Sequence, residues 1–220
     1  MEQIVSNPPA MRQRLLRWLR VAVHIGSLAP LALLISDIPT VNPIQAITQH
    51  SGRTAIILLM LCLACTPLNL LFGWKWAASL RKPLGLYSFL YVCLHLLTFA
   101  VLDYGLDGRL IWQAVLEKRY VVAGFSGFLL LLPLAITSTK GWQRRLGRRW
   151  RALHSLIYPA AILAILHFLW LSKVIRDPLI YGAIVAALLI VRLPPVRSQI
   201  AAWRRPARRL ATLPGEASIE

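Results

Sequence analysis

Histidine is the residue type in this chain with the most chemistry to offer. There are five, and His24, His95, His154 and His167 fall inside long apolar runs, while His50 lies between two of them. An imidazole in hydrocarbon is costly without a partner, so an intramembrane histidine is a site hypothesis by default. The bland alternative is a ring that simply bonds a neighbouring helix carbonyl, and for one isolated histidine the two readings weigh about evenly. Four in one small chain shift that balance. The apolar runs contain no Asp or Glu, which a proton relay would normally add. Neutral imidazole is also a favoured ligand of haem iron. The other suggestive spacing, Cys62-x-x-Cys65, lies within an apolar run with no second pair. It reads as buried structural thiols rather than a zinc or redox motif, and Cys93 reads the same way.

The elements that must position these rings are membrane helices. Of the 220 residues, 57% are hydrophobic and only 15% charged, with a mean hydropathy of +0.60. A soluble domain carries about 25% charged residues, so a water-soluble globule is excluded. The formal charge of +17 does not point to nucleic acid, because a basic nucleic-acid binder has no series of bilayer-length apolar runs. Six runs are near the length needed to cross about 30 Å of hydrocarbon: Val21–Ser36, Thr54–Gly73, Leu84–Leu102, Tyr120–Thr137, Ala152–Leu171 and Leu179–Leu193. Barrel strands would alternate polar and apolar residues; Phe128–Leu134 and Ala160–Leu166 do not. The expected fold is therefore all-α, a six-helix transmembrane bundle over 21–193, with a basic arm at 1–20 and a basic tail at 194–220. Pro30, Pro67, Pro133 and Pro159 are expected inside spans. Arg192 is expected to snorkel to the headgroups. The first run is read as a retained helix, since no small-x-small cleavage site follows Ser36. No internal repeat is evident.

Charge asymmetry orients the bundle. With six spans, 19 of the Lys and Arg residues fall on one side and six on the other, so the positive-inside rule puts both termini in the cytoplasm. Trp18, Trp74, Trp76 and Trp150 then lie at the cytoplasmic boundary, and the tail around Trp203-Arg204-Arg205 rests on anionic lipid headgroups. The Arg clusters are thus topology signals. Gly124 and Gly127 are expected to permit close helix packing, and Ile111–Leu116 to form a short amphipathic segment on the outer surface.

Depth along the helices then groups the histidines. His95 lies about 16 Å along the third span and His167 about 22 Å along the fifth, both running outward. They can face each other across one haem in the outer half of the membrane. His154 lies near the cytoplasmic face, about 20 Å from His167, a spacing suited to two stacked haem levels. The phase fits less well, because thirteen residues leave the two rings about 140° apart on an ideal helix. Either Pro159 bends the helix or His154 addresses a different partner helix. His24, at a similar cytoplasmic depth, is the one further candidate.

The stretch Tyr120–Leu171 carries a resemblance, through Leu131-Leu132-Pro133-Leu134, Thr137-Ser138, Arg145-Leu146-Gly147, Trp150, Leu153-His154 and His167-Phe168-Leu169-Trp170. With Leu94-His95-Leu96, Val23-His24 and His50-Ser51-Gly52-Arg53-Thr54, it resembles the haem-binding membrane subunits of periplasmic methionine-sulfoxide reductase systems (MsrQ, formerly YedZ). Those subunits belong to the ferric-reductase-like transmembrane group, which includes NADPH-oxidase cores. The resemblance implies that His95, His154 and His167 are haem ligands. It also implies a location in the bacterial inner membrane and a periplasmic molybdenum-containing methionine-sulfoxide reductase as partner. FMN is a further cofactor by resemblance alone, with no motif for it in this chain. The eukaryotic oxidase cores have two histidines on their third helix, whereas this chain has only His95.

Two absences agree with that expectation. No C-x-x-C-H occurs, so a haem would be noncovalent, b-type. No G-x-G-x-x-G occurs, and the 27 residues after Leu193 are too few for a nucleotide-binding domain. Electrons would have to come from a separate flavin reductase or a membrane quinol and leave to a partner. A direct ferric reductase of the same group is the nearest alternative reading. A small transporter using its histidines for substrate or protons is an alternative from a different class, and a haem-free scaffold a third.

Overall fold

The computed structural model describes residues 8–36 and 41–203. Every regular element among them is helical: α1 (Pro8–Ser36), α2 (Pro43–Phe72), α3 (Ala77–Leu97) continued by a π-helical turn (Thr98–Asp103), α4 (Gly108–Glu117), α5 (Arg119–Ile136), α6 (Lys140–Leu146), α7 (Arg148–His154), α8 (Ile157–Leu171), α9 (Arg176–Ile190) and α10 (Pro194–Trp203). Among the described residues, four stretches are long and apolar enough to cross a bilayer: α2, α3 with its π turn, α5, and α7 with α8. The pair α9–α10, bent by 69°, makes a fifth if taken as one span. The first expected run lies in α1, whose amino half carries Arg14, Arg17 and Arg20. The sixth lies in α9, whose 15 residues reach only about 22 Å.

Capping rather than hydropathy sets the start of α2. Asn42 accepts from the Gln45 backbone N–H at 3.2 Å and Pro43 opens the first turn, a strong start signal. The helix therefore includes the polar stretch Gln45–His50, which hydropathy alone assigned to an outer loop. His50 is helical. At the other end Gly73 adopts φ 72° and closes the helix onto Asn69 O, a left-handed cap that suits glycine. Asp107 caps α4 in the same manner as Asn42, at 2.8 Å from Arg109 N. The short amphipathic segment expected at Ile111–Leu116 is this helix.

Packing is tightest in the hairpin of α2 and α3. Tyr91 is completely buried there among Ala55, Leu58, Cys62, Leu80 and Leu84. Its hydroxyl donates to Ser27 O at 2.8 Å and so pins α1 to the hairpin, while Ser88 Oγ donates to Ala55 O. Leu59, Leu63, Ala161 and Val185 join α2 to α8 and α9. Leu131, Leu134 and Ala160 seal the second hairpin, α5 against α8. Cys62 and Cys65 are buried, free and bonded to the carbonyls of Arg81 and Leu61.

Two prolines shape the interior. Pro67 has no N–H for the carbonyl of Leu63, four residues earlier. The side chain of Arg192 supplies that donor, bonding Leu63 O through Nη2 while its guanidinium stacks over Tyr158 at 5.5 Å. Arg192 thus turns into the bundle rather than snorkelling outward, because an orphaned carbonyl is a better partner there than a distant headgroup. Pro159 acts on the fifth expected run, which breaks at Ser155-Leu156 between α7 and α8. Ser155 is the residue whose carbonyl the proline ring displaces.

Candidate cofactor site

The two hairpins each bring one histidine to the same end of the bundle, where α2 and α5 begin and α3 and α8 end. His95, on the last turn of α3, bonds through Nδ1 to the backbone carbonyl of Thr48 at 2.9 Å. His167, on α8, bonds through Nδ1 to the carbonyl of Tyr120 at 2.7 Å. A carbonyl only accepts, so each Nδ1 must carry the proton and each Nε2 keeps its lone pair. The ring centres lie 5.9 Å apart with planes at 89°. A metal held in line at about 2.0–2.1 Å by both Nε2 atoms would set the ring centres about 6.4 Å apart, a small widening of the observed pair. Two neutral imidazoles with the donor atom free, at that separation, can hold one metal centre between them. Among the described residues no three His, Cys, Asp or Glu side chains converge, so the protein itself offers a two-donor site and not a closed cage.

His154 sits at the opposite end of α5. Thr137, the residue that ends α5, spends its hydroxyl proton on Pro133 O at 2.6 Å and receives His154 Nε2 at 3.1 Å. His154 Nε2 is therefore the protonated nitrogen, and the lone pair is on Nδ1. Its ring stacks on Trp150 with centres 3.9 Å apart, and Trp150 Nε1 donates to Thr137 O. The tautomer is the reverse of that at His95 and His167. The break at Ser155-Leu156 settles the phase: His154 and His167 both face α5, one at each end.

His24 joins neither group. Its Nδ1 lies 2.8 Å from the Tyr87 hydroxyl, and it borders an open cavity of about 530 Å³ with Arg20, Lys82 and Tyr87 among its walls. The structure brings His95 and His167 together and keeps His24 and His154 on separate partners. Sequence reasoning missed Thr48 and Tyr120. They act through backbone carbonyls, which leave no side-chain signature, although a constant offset of 72 residues relates Thr48 to Tyr120 and His95 to His167. The equal spacing places the two contacts at matching positions of the two hairpins.

Residues 51–165 match the family described as ferric reductase like transmembrane component. A Rhodospirillum rubrum protein named protein-methionine-sulfoxide reductase heme-binding subunit MsrQ is 42% identical over 194 residues, covering 86% of this chain and 93% of that one. The chain belongs to the MsrQ family. MsrQ proteins of Xanthomonas euvesicatoria pv. vesicatoria and Xanthomonas campestris pv. campestris strain B100 are each 42% identical, over 201 and 206 residues. They cover 86% and 89% of the chain, and 91% and 93% of their own lengths. No solved structure matches. The broader family match takes in His95 and His154 and ends two residues before His167, whereas MsrQ similarity extends over most of the chain.

Proposed function

We propose that this MsrQ-family chain is a b-type cytochrome of the bacterial inner membrane. In this reading it passes electrons from the cytoplasmic side to a periplasmic, molybdenum-containing methionine-sulfoxide reductase subunit for repair of oxidised periplasmic proteins. The observation that carries the reading is the His95–His167 pair, two rings 5.9 Å apart that would together hold one iron. The donor set fits haem, which when bound supplies a one-electron carrier. His95 and His167 would hold the iron, each through the Nε2 that its Nδ1 bond leaves unprotonated. The carbonyls of Thr48 and Tyr120 fix each ring's tautomer and rotation and raise its basicity, the usual office of a partner on the far nitrogen. His154 belongs to a second, cytoplasmic-side haem, or to electron input if only one is bound. His24, bonded to Tyr87 through Nδ1, serves as its partner only if the first helix supplies one.

The proposed topology has six spans, α1 and α9–α10 being the outermost, and both termini in the cytoplasm, as the 19-to-6 distribution of basic residues supports. The expected arm (1–20), haem-binding bundle (21–193) and tail (194–220) follow. A flavin reductase or a quinol supplies electrons. FMN rests on family resemblance alone and has no residues assigned. The family's description as ferric-reductase-like favours one second reading, direct reduction of ferric iron without a protein partner.

A visible spectrum of the purified protein, with haem quantified per chain, tests the reading. Low-spin b-type bands lost in His95→Ala and His167→Ala are the expected result. Methionine-sulfoxide reduction should require the periplasmic partner, and haem-free protein from haem-replete membranes would defeat the proposal.

A further inference from the structure

The notches that seat the two paired rings are built from glycine. Gly52 lies four residues after Thr48 on α2, and Gly124 four residues after Tyr120 on α5, so the same 72-residue offset relates these two as well. In an α-helix the residue at i+4 stands directly over the carbonyl of residue i and bonds it through its own N–H. A side chain there would cover the carbonyl from the outside. Glycine leaves it open, and an imidazole from the neighbouring helix occupies the space. A Cβ on Gly124 would stand 2.7 Å from His167 Nδ1 and 3.0 Å from Cε1. On Gly52 it would stand 3.0 Å from His95 Nδ1 and 3.1 Å from Cε1. In each case the nearest atom is the nitrogen that donates to the carbonyl one turn back.

Neither contact is helix–helix packing of the ordinary kind. Gly127, three residues further along α5, shows what that looks like: its added Cβ would meet Leu163 Cβ at a comfortable 3.7 Å. The close helix packing expected at Gly124 and Gly127 is present at both, and at Gly124 the neighbour is a histidine ring.

We propose that Gly52 and Gly124 are positioning residues: each opens a helix carbonyl to the Nδ1–H of a paired histidine and thereby sets the tautomer that leaves Nε2 free. This rests on the haem reading for its consequence but not for its geometry. Alanine at 124 must push the His167 ring aside by several tenths of an ångström, enough to stretch and misalign its 2.7 Å bond to Tyr120 O. Alanine at 52 asks for less, so the two variants should differ in degree.

The test compares Gly124→Ala, Gly52→Ala and the control Gly127→Ala in full-length protein in detergent. Haem affinity should fall about 10–100-fold in Gly124→Ala, the usual cost of losing a partner on the far nitrogen of a ligating histidine. Gly52→Ala should fall less, and Gly127→Ala should match the parent. With a weaker donor the iron's potential should move positive in Gly124→Ala. Nitrogen NMR of haem-free protein supplies an independent readout, in which Gly124→Ala should lose the Nδ1-protonated signature of His167 and keep that of His95. Were the parent protein to bind no haem, this tautomer shift would still test the notch, separating its failure from that of the functional reading. If Gly124→Ala does not insert, the milder Gly52→Ala carries the same test at His95. Parental haem affinity, potential and tautomers in both variants would overturn the proposal.

Discussion

Replacing Arg192 by methionine should expose how a membrane helix tolerates its proline. Pro67 leaves Leu63 O without its intrahelical donor, and Arg192 Nη2 fills the gap. Methionine keeps much of the stem's packing and removes the donor. A buried carbonyl left unpaired costs about 1–3 kcal/mol, and loss of the contact over Tyr158 adds about 0.5–2 kcal/mol. Against this, the buried Arg192 Nε has no partner among the described residues, so its removal returns about 1 kcal/mol of desolvation. The net expectation is a destabilisation of about 2 kcal/mol. The decisive comparison is in a Pro67→Ala background, where the substitution restores a helical N–H to Leu63 O. There the same Arg192→Met change should cost less than about 1 kcal/mol, leaving a coupling of about 1–2 kcal/mol between two residues that do not bond each other. Unfolding of the four proteins in mixed micelles, followed by helical circular dichroism, measures the cycle. An Arg192→Met penalty that is the same in both backgrounds would refute the view that the arginine is there for the carbonyl.

Three further outcomes are expected. At matched membrane levels, His95→Ala and His167→Ala should each lose most of the low-spin haem spectrum, His154→Ala should alter a separate spectral component or slow haem reduction, and His50→Ala should leave the spectrum intact; full retention in both of the first two would remove the ligand assignment. A reporter active only in the periplasm, fused after Glu220, should be silent in cells, and strong activity would show an odd number of spans. The purified chain should not oxidise NADPH at a useful rate until a flavin reductase is added, with haem absorbance as the readout, and rapid reduction by NADPH alone would contradict the proposed division of labour.

The histidine pairing was legible in sequence because depth along a helix is simple arithmetic. His95 and His167 sit in the later halves of two apolar runs that cross in the same direction, and hydropathy suffices to see that. Azimuth was not legible. Whether His154 and His167 share a face depended on a break at Ser155-Leu156, and a proline announces a distortion without stating its direction. The start of α2 was missed for a different reason. Hydropathy discounts Gln45, Thr48 and Gln49, while the Asn42–Pro43 cap that makes them helical is a local hydrogen-bonding signal. Thr48 and Tyr120 were invisible as anchors because backbone carbonyls are the same at every residue; only their glycine neighbours carry information. Arg192 was misread since a cation near a helix end ordinarily reaches for water, and only the fold reveals that it ends beside Leu63.

The placement of His167 and His154 at the two ends of α5 makes that helix a gauge. Tyr120 and Thr137 are the two stops, seventeen residues or about 25 Å apart. Inserting or deleting one residue between them would turn one stop by about 100° around the axis relative to the other. Only one histidine could then remain seated, however well the helix itself formed. Length variation in this molecule should therefore be confined to the connections outside the gauge, such as the segment from Ser138 to Gly147. Between Tyr120 and Thr137 the residue count is a dimension of the machine, and natural or engineered variants should change residue identities there far more readily than their number.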